Sequence, residues 1–294
     1  MKKLVAILVS VLMLAACFAC AAPAAAPAAP ATEAAPAPAA EAAPAAEAAP
    51  AADDDWSYIS AQGKLIIGIT IFDPMNYYDE SGKLIGFDTE FAEAVCAKLG
   101  ITPEFVEINW DTKEVELAAK NIDCIWNGLT VTEERKQNMA FSESYIKNKQ
   151  VIVIKADNTE KYATTESLAS ANLVAEIGSA GETAIADDAN LQKGAYVAVP
   201  KQADALLEVN SGTADAAVID YVMANAMVGE GTDYAGLKII DGIELAVEEY
   251  AIGLRVGSSA VEKIDGAIDE LIADGTLNTI AEKYDLTASL LSNQ

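Results

Sequence analysis

From Lys64 onward the chain alternates short runs of branched apolar residues with stretches whose apolar residues recur every three or four positions, and few folds satisfy that alternation. The run KLIIGIT (64–70) reads as a buried strand. A helix follows, with Phe91, Ala94, Val95 and Leu99 on one face, Asp88 as its expected N-cap and Gly100 as its stop. Segments 103–108 and 122–126 are predicted strands on either side of a short helix over 112–120. After a strand at 150–156 the pattern restarts, with strands at 172–176, 196–199 and 215–220, a small-residue loop GSAG at 178–181 opening a helix, and a helix through Leu206 and Leu207. A strand at 250–256 and two amphipathic helices, over Val261, Ile264, Ile268 and Leu271 and over Leu277, Ile280 and Tyr284, complete the chain. Strands separated by helices pair in parallel, so an α/β protein of two similar units in tandem is expected. A cleft between such units gathers strand ends and helix starts around a small molecule.

Ahead of this region, Lys2 and Lys3 precede an apolar stretch, Leu4 to Met13, too short to cross a bilayer, and residues 1–16 read as an export signal. Residues 21–52 are almost entirely Ala, Pro and Glu and hold seven of the ten prolines, which rules out a packed core, so 17–55 is expected to be a tether. At a polyproline rise of ~3.1 Å per residue it reaches roughly 100 Å. The remainder suffices for one large or two modest domains. No later segment is long and apolar enough to span a membrane.

A formal charge of −26, or −28 once Lys2 and Lys3 leave with the signal, argues against nucleic acid or an anionic lipid surface as ligand. The chain has no histidine, which removes the usual general base, the Ser-His-Asp relay and the commonest zinc ligand together. Cys96, on a predicted helix, and Cys124, on a predicted strand, are either bonded or simply buried, and two cysteines make no four-ligand metal site.

Against this acidic background Arg135 is one of only two arginines. A guanidinium grips a carboxylate through two parallel charge-assisted hydrogen bonds, and the Thr130 hydroxyl is placed to join it, which describes a clamp for a small acid. The alternative is an arginine on a surface helix that begins after Thr132.

The segments KLIIGIT, FDPMNYYDESGKLIGFDTEFAEAVCAKLGI, NW and IDCIWNGLTVTEERKQNMAFSESY, then LVAEIGSAGETAI, DAAVID and YAIGLRVGSSAVEKIDGAIDELIADGTLNTIAEKY, resemble in order and spacing the amino-acid-binding (family 3) extracytoplasmic solute-binding proteins of ABC importers. The resemblance covers nearly all of 63–285. The tetrad Leu14, Ala15, Ala16, Cys17 resembles the lipobox of bacterial lipoproteins, in which the cysteine carries the lipid.

These resemblances imply a two-lobed, periplasmic-binding-protein-like (type II) fold with a two-stranded hinge near 146–151 and 246–252 and a central ligand cleft. Lobe 1 would comprise 56–148 and 250–294, and lobe 2 would comprise 149–249. They further imply that Arg135, the Thr130 hydroxyl and main-chain N–H groups at Ser179 and Ala180 hold the ligand α-carboxylate. Asp220 and the Gly128 carbonyl would take the α-ammonium. Phe72 and Trp110 fall at the positions of aromatic walls, and Asn127 lines the same strand end. Glu176 either faces the ligand side chain, hinting at a polar or cationic amino acid, or points outward. Asp73 either stands in for an acid that cation-binding members carry near Thr70, or is a turn residue before Pro74. The implied protein is monomeric, non-catalytic and without cofactor or metal. It is lipid-anchored outside the cytoplasm through Cys17 and delivers a free amino acid to a membrane permease. A dehydratase-like enzyme on the same scaffold and a ligand-sensing receptor are the alternatives.

Overall fold

The computed structural model describes residues 54–294, so the expected export signal, Cys17 and nearly all of the tether lie outside the described residues. In chain order the first elements are α1 (Asp55–Gln62), β1 (Lys64–Ile69), β2 (Tyr77–Tyr78), β3 (Leu84–Ile85), α2 (Phe87–Leu99), β4 (Thr102–Glu107), α3 (Lys113–Ala118), β5 (Cys124–Ile125) and β6 (Ala140–Phe141). They are followed by β7 (Ile146–Lys155), β8 (Asn172–Glu176), α4 (Ala180–Asp187), β9 (Ala195–Val199), α5 (Gln202–Ser211), β10 (Ala216–Asp220), α6 (Tyr221–Met227) and β11 (Leu237–Ile239). The chain ends with β12 (Ala246–Tyr250), β13 (Gly253–Leu254), α7 (Ala260–Ala273) and α8 (Thr276–Lys283).

Two sheets organise two lobes. The first has the order β4-β1-β5-β13-β6, and the second β11-β7-β10-β8-β9 with β12 also on β7. Parallel pairing holds for β1 with β4 and β5 and for β8 with β9 and β10. Antiparallel pairs enter through β13 and through β7, which meets β10, β11 and β12 in that sense. Hydrophobic period carries no strand direction, so this was invisible in the sequence pattern. A chain that crosses from one lobe to the other and returns must run both ways: β7 leads out and β12 leads back, in register from Tyr250 opposite Ile146 to Ala246 opposite Gln150. These are the two hinge strands.

In the first lobe, Phe87, Phe91 and Val95 recur at one-turn spacing along α2 and are fully buried. They share a core with Ile264, Ile268 and Leu271 of α7 and Leu277 and Ile280 of α8. The C-terminal helices thus pack on α2. Phe91 meets Trp126 edge-on at 5.1 Å between centroids and Tyr145 at 5.4 Å, linking this core to the start of the hinge. Gly100, in the left-handed region, ends α2 as expected.

Asp88 is not the N-cap of α2. Gly86 holds that place, and Asp88 sits inside the first turn, fully buried, where its carboxylate accepts the Gly128 N–H at 2.7 Å. Cys96 and Cys124 are both free and buried, the plain hydrophobic alternative for such residues. Asp55, within the span expected of the tether, already starts α1.

Asp55 is held by the second arginine. Arg255 donates to Asp55 at 2.8 Å, to the buried Asp123 at 2.9 Å and to the Ile122 carbonyl at 2.7 Å, fastening α1 to the first sheet. Removing one partner of a buried pair leaves an uncompensated charge and costs about 3–5 kcal/mol. Arg255→Met is therefore expected to lower the thermal unfolding midpoint by roughly 10 °C, checked by calorimetry.

Candidate functional site

Arg135 settles between its two readings by adopting parts of both. The Thr132 hydroxyl accepts the Arg135 N–H at 3.1 Å at the start of a short 3-10 turn, while the side chain turns inward and is only 7% exposed. Its guanidinium donates to the Thr130 carbonyl at 2.8 Å and, across the cleft, to the Gly178 carbonyl at 3.1 Å. Among the described residues no carboxylate pairs with it. Burial lowers its pKa. A desolvated cation satisfied by neutral carbonyls is an incomplete ion pair, and an anion is the missing half.

The facing loop belongs to the second lobe. Gly178 adopts φ +69°, which an L side chain would resist, and so turns its carbonyl toward Arg135 and toward the Lys113 ammonium, which donates to it at 3.1 Å. Ser179 caps α4, its hydroxyl accepting the Glu182 N–H at 3.1 Å, while Glu182 reaches back to the Gly178 N–H at 2.7 Å. The Ser179 N–H is itself bound to the Glu176 carbonyl at 3.2 Å. Ala180 begins the helix, whose positive end faces Arg135.

Asp220 ends β10, where a dense hydrogen-bond network holds it. One carboxylate oxygen accepts from Asn148 at 2.6 Å, Gln150 at 3.0 Å and the Tyr250 hydroxyl at 2.6 Å, and the other accepts from Gln202. Asn148 and Gln150 also donate to Glu248 of β12, at 2.6 and 2.8 Å. Two carboxyls thus share two amides. Burial and the neighbouring Asp220 push the Glu248 carboxyl up.

Phe72 and Trp110 are buried, at 3% and 5% exposure. Trp110 opens a 3-10 turn capped by Asn109, and the Lys113 ammonium stands 4.9 Å from its ring centre. Gly128 adopts φ +56°, and a Cβ there would lie 2.5 Å from the Phe72 ring, so the close approach requires glycine. Asn127 uses its whole amide within the lobe: its oxygen accepts from the Thr70 N–H and hydroxyl, and its nitrogen donates to the Thr70 carbonyl and to Asn76. It locks the end of β1 and leaves no polar capacity for a ligand.

All ten residues singled out in the sequence, Phe72, Trp110, Asn127, Gly128, Thr130, Arg135, Glu176, Ser179, Ala180 and Asp220, line one small cavity of about 10 Å³ together with Thr70 and Gln202. Glu176 points inward rather than outward: it is 3% exposed, and its Oε1 has no partner among the described residues. Burial, then Asp220, raises its carboxyl to about 8. A wider groove of about 730 Å³ shares Thr130, Arg135 and Ala180 with this cavity and is rimmed by Glu114, Glu134, Glu182, Asp187, Glu244 and Glu248. Asp73 lies outside both and is raised by burial and by Asp233.

The family model for bacterial extracellular solute-binding proteins, family 3, matches residues 65–287. The chain belongs to that family. Among the relatives of this solute-binding protein, the L-cystine-binding protein TcyJ of Escherichia coli is 25% identical over 228 residues, covering 77% of this chain and 84% of the relative. The histidine-binding periplasmic protein of Escherichia coli is 30% identical over 219 residues, covering 72% and 83%. The crystal structure of Tv2483 bound to L-arginine superposes with a TM-score of 0.76 at 27% identity, over 82% of this chain and 98% of that one. The fold is the two-lobed type II periplasmic-binding-protein fold.

Several residues that shape the site of this family 3 protein carried no sequence signal. Asn148, Gln150, Tyr250 and Glu248 lie on the hinge strands and Gln202 opens α5, so only the tertiary fold brings them to Asp220. Lys113 read as part of an ordinary helix start. It is 5% exposed, donates to Trp110 and Gly178 carbonyls at 3.1 Å each, and so bridges the two lobes. Lys201 with Glu107, at 3.6 Å, makes a second crossing.

Burial, then the Arg135 charge, lowers the Lys113 pKa from 10.5 to about 8. A pKa depressed in the folded state means that stability is gained as pH rises from about 8 toward 10.5 and lost as it falls back through 8. Relative to Lys113→Met, the native protein is expected to gain about 2 kcal/mol between pH 7 and 9.5. Paired thermal melts at the two pH values, with a relative shift of roughly 4–8 °C, check this.

Proposed function

We propose that this chain captures a free amino acid outside the cytoplasm and hands it to the membrane permease of an ABC importer. The observation that carries the reading is the opposition, across one cavity, of a buried guanidinium without a carboxylate partner among the described residues and a buried carboxylate at a strand end. Two fixed, opposite charges are complementary to a zwitterion. In this reading Arg135, the Thr130 hydroxyl and the start of α4 at Ser179 and Ala180 take the α-carboxylate. The Ser179 contribution requires its N–H to leave the Glu176 carbonyl. Asp220 and the Gly128 carbonyl take the α-ammonium, Phe72 and Trp110 form the walls, Asn127 holds the strand end, and Glu176 faces a polar or cationic side chain. Cystine, histidine and arginine in the names of the relatives and structures support an amino acid as ligand. Neither metal nor cofactor is needed to complement a zwitterion.

In the same reading residues 56–148 with 250–294 form lobe 1 and residues 149–249 form lobe 2. Closure about β7 and β12 links capture to docking, because closed lobes present a surface that open lobes do not. The protein works as a monomer, held to the membrane by lipid on Cys17 and held away from it by the tether.

Thermal unfolding against all twenty amino acids, ornithine and cystine tests the proposal. A ligand at a hundred times its dissociation constant adds about 2.7 kcal/mol, or roughly 5–10 °C here. Arg135→Ala and Asp220→Asn are each expected to remain folded and to weaken binding by roughly thirty- to several-thousand-fold. Unchanged affinity in either variant removes the zwitterion reading. Cys17→Ala is expected to move the protein from the membrane fraction to the soluble fraction, read by fractionation of expressing cells.

A further inference from the structure

Among the charged groups lining the small cavity, Glu176 alone has a buried oxygen with no hydrogen-bond partner among the described residues. Asp220 accepts from four donors and Arg135 donates to two carbonyls. The unpaired carboxyl stands at the end of β8, in a cavity lined by Phe72 and Trp110, with the Lys113 ammonium already over the Trp110 ring. A buried polar group is matched by its partner when that partner arrives, and an unpaired carboxyl oxygen in a cavity shared with Asp220 favours a cation.

We propose that Glu176 reads the side chain of the bound amino acid, that this side chain carries an ammonium or guanidinium, and that its arrival releases a proton from Glu176. The inference rests on the amino-acid-binding reading above and narrows it to one substrate class.

The charges around Glu176 set the direction of the linkage. Burial, Asp220 on β10 and Asp204 on α5 raise its carboxyl to about 8, against Lys113 on α3 and Arg135 beside the loop. Below that pH the carboxyl holds a proton. A cationic side chain favours the carboxylate, the O–H bond breaks, and the proton passes to solvent while the ion pair forms. A neutral side chain of the same shape leaves the carboxyl protonated. Affinity for the cationic ligand therefore rises with pH by up to about tenfold per unit below pH 8, and levels off above it. Glu248, also raised, faces Asp220 and responds to the α-ammonium that every amino acid carries, so the difference between two ligands isolates Glu176.

Arginine and citrulline are the probes, alike in length and shape and unlike in side-chain charge, with lysine and ornithine as shorter cations. Calorimetry on the full chain at pH 6.5, in two buffers of different ionisation enthalpy, counts the protons. At least one of the three cations is expected to release close to one proton more than citrulline and to bind at least about tenfold tighter, with a preference that widens from pH 6 to 7.5. Glu176→Gln, close in shape to the protonated carboxyl, is expected to abolish the extra proton and flatten the preference. If that variant does not fold, the comparison of ligands on the unaltered protein decides. Equal proton release by cation and citrulline, or a widening preference that survives Glu176→Gln, overturns the proposal. Binding of neutral amino acids with none of the three cations overturns it and leaves the amino-acid reading standing, whereas binding of no amino acid removes both.

Discussion

The antiparallel pairing of β7 with β12 is the constraint on which the rest of the molecule depends. Among the described residues the chain leaves the first lobe along β7 and returns along β12, and the register of the pair sets Asn148 opposite Glu248, with Gln150 and Tyr250 at its two ends. Asn148, Gln150 and Tyr250 donate to Asp220, the last residue of β10, which itself pairs with β7 at Gln150, and Glu248 shares the two amides. A shift of one residue in that ladder would turn Asn148 and Gln150 to the opposite face and take two amide donors from both Asp220 and Glu248. The hinge therefore fixes where the lobes meet and also orients the carboxylate proposed to take the α-ammonium.

The two arginines do opposite work with the same chemistry. Arg255 is fully matched, by two carboxylates and a carbonyl, and its effect is to join α1 to the first sheet. Arg135 is more deeply withdrawn from water, yet among the described residues it meets only carbonyls. In a chain with 45 acidic residues against 19 basic ones, a buried guanidinium without a carboxylate is not a shortage of partners. It is a position from which partners have been kept away. Gly178 keeps them away by offering a carbonyl through a left-handed backbone, and Lys113 shares that carbonyl. This explains why the lobes touch there through neutral acceptors rather than through an ion pair that a ligand would have to break.

Much of this was legible in the sequence, for identifiable reasons. The strands at 64–69 and 172–176 and the helices through Phe91, Ile264 and Ile280 announced themselves because period and burial coincide. The ten residues that the family resemblance singled out fall around one cavity, and most of them lie at a strand end or helix start, where such sites form, while Thr130 lies in the loop after β5. Asp88 was misplaced as a cap because an acid at the first turn of a helix has the same local signature whether its carboxylate faces the helix or a distant N–H. Only the fold reveals that it grips Gly128. The hinge residues were silent because an Asn, a Gln and a Glu on amphipathic strands look like solvent-facing positions. Lys113 was silent because a lysine at a helix start is ordinary until the other lobe covers it.

Polar groups around the cavity divide into those already satisfied and those that are not, and the division has a physical logic. Asn127, with all four hydrogen-bonding positions taken, and Asp88, holding Gly128 against the Phe72 ring, give the site its shape, since a group with no spare capacity has one low-energy position. Among the described residues Glu176 and Arg135 have no ion-pair partner, and each would be costly in a core that nothing enters. Neighbours moderate both costs: burial keeps Glu176 protonated near neutrality, and carbonyl dipoles screen Arg135. A pocket built this way is rigid where it must hold its form and frustrated where it must be filled. In the amino-acid-binding reading proposed above, binding energy would come from relieving these two unmet groups as the lobes close.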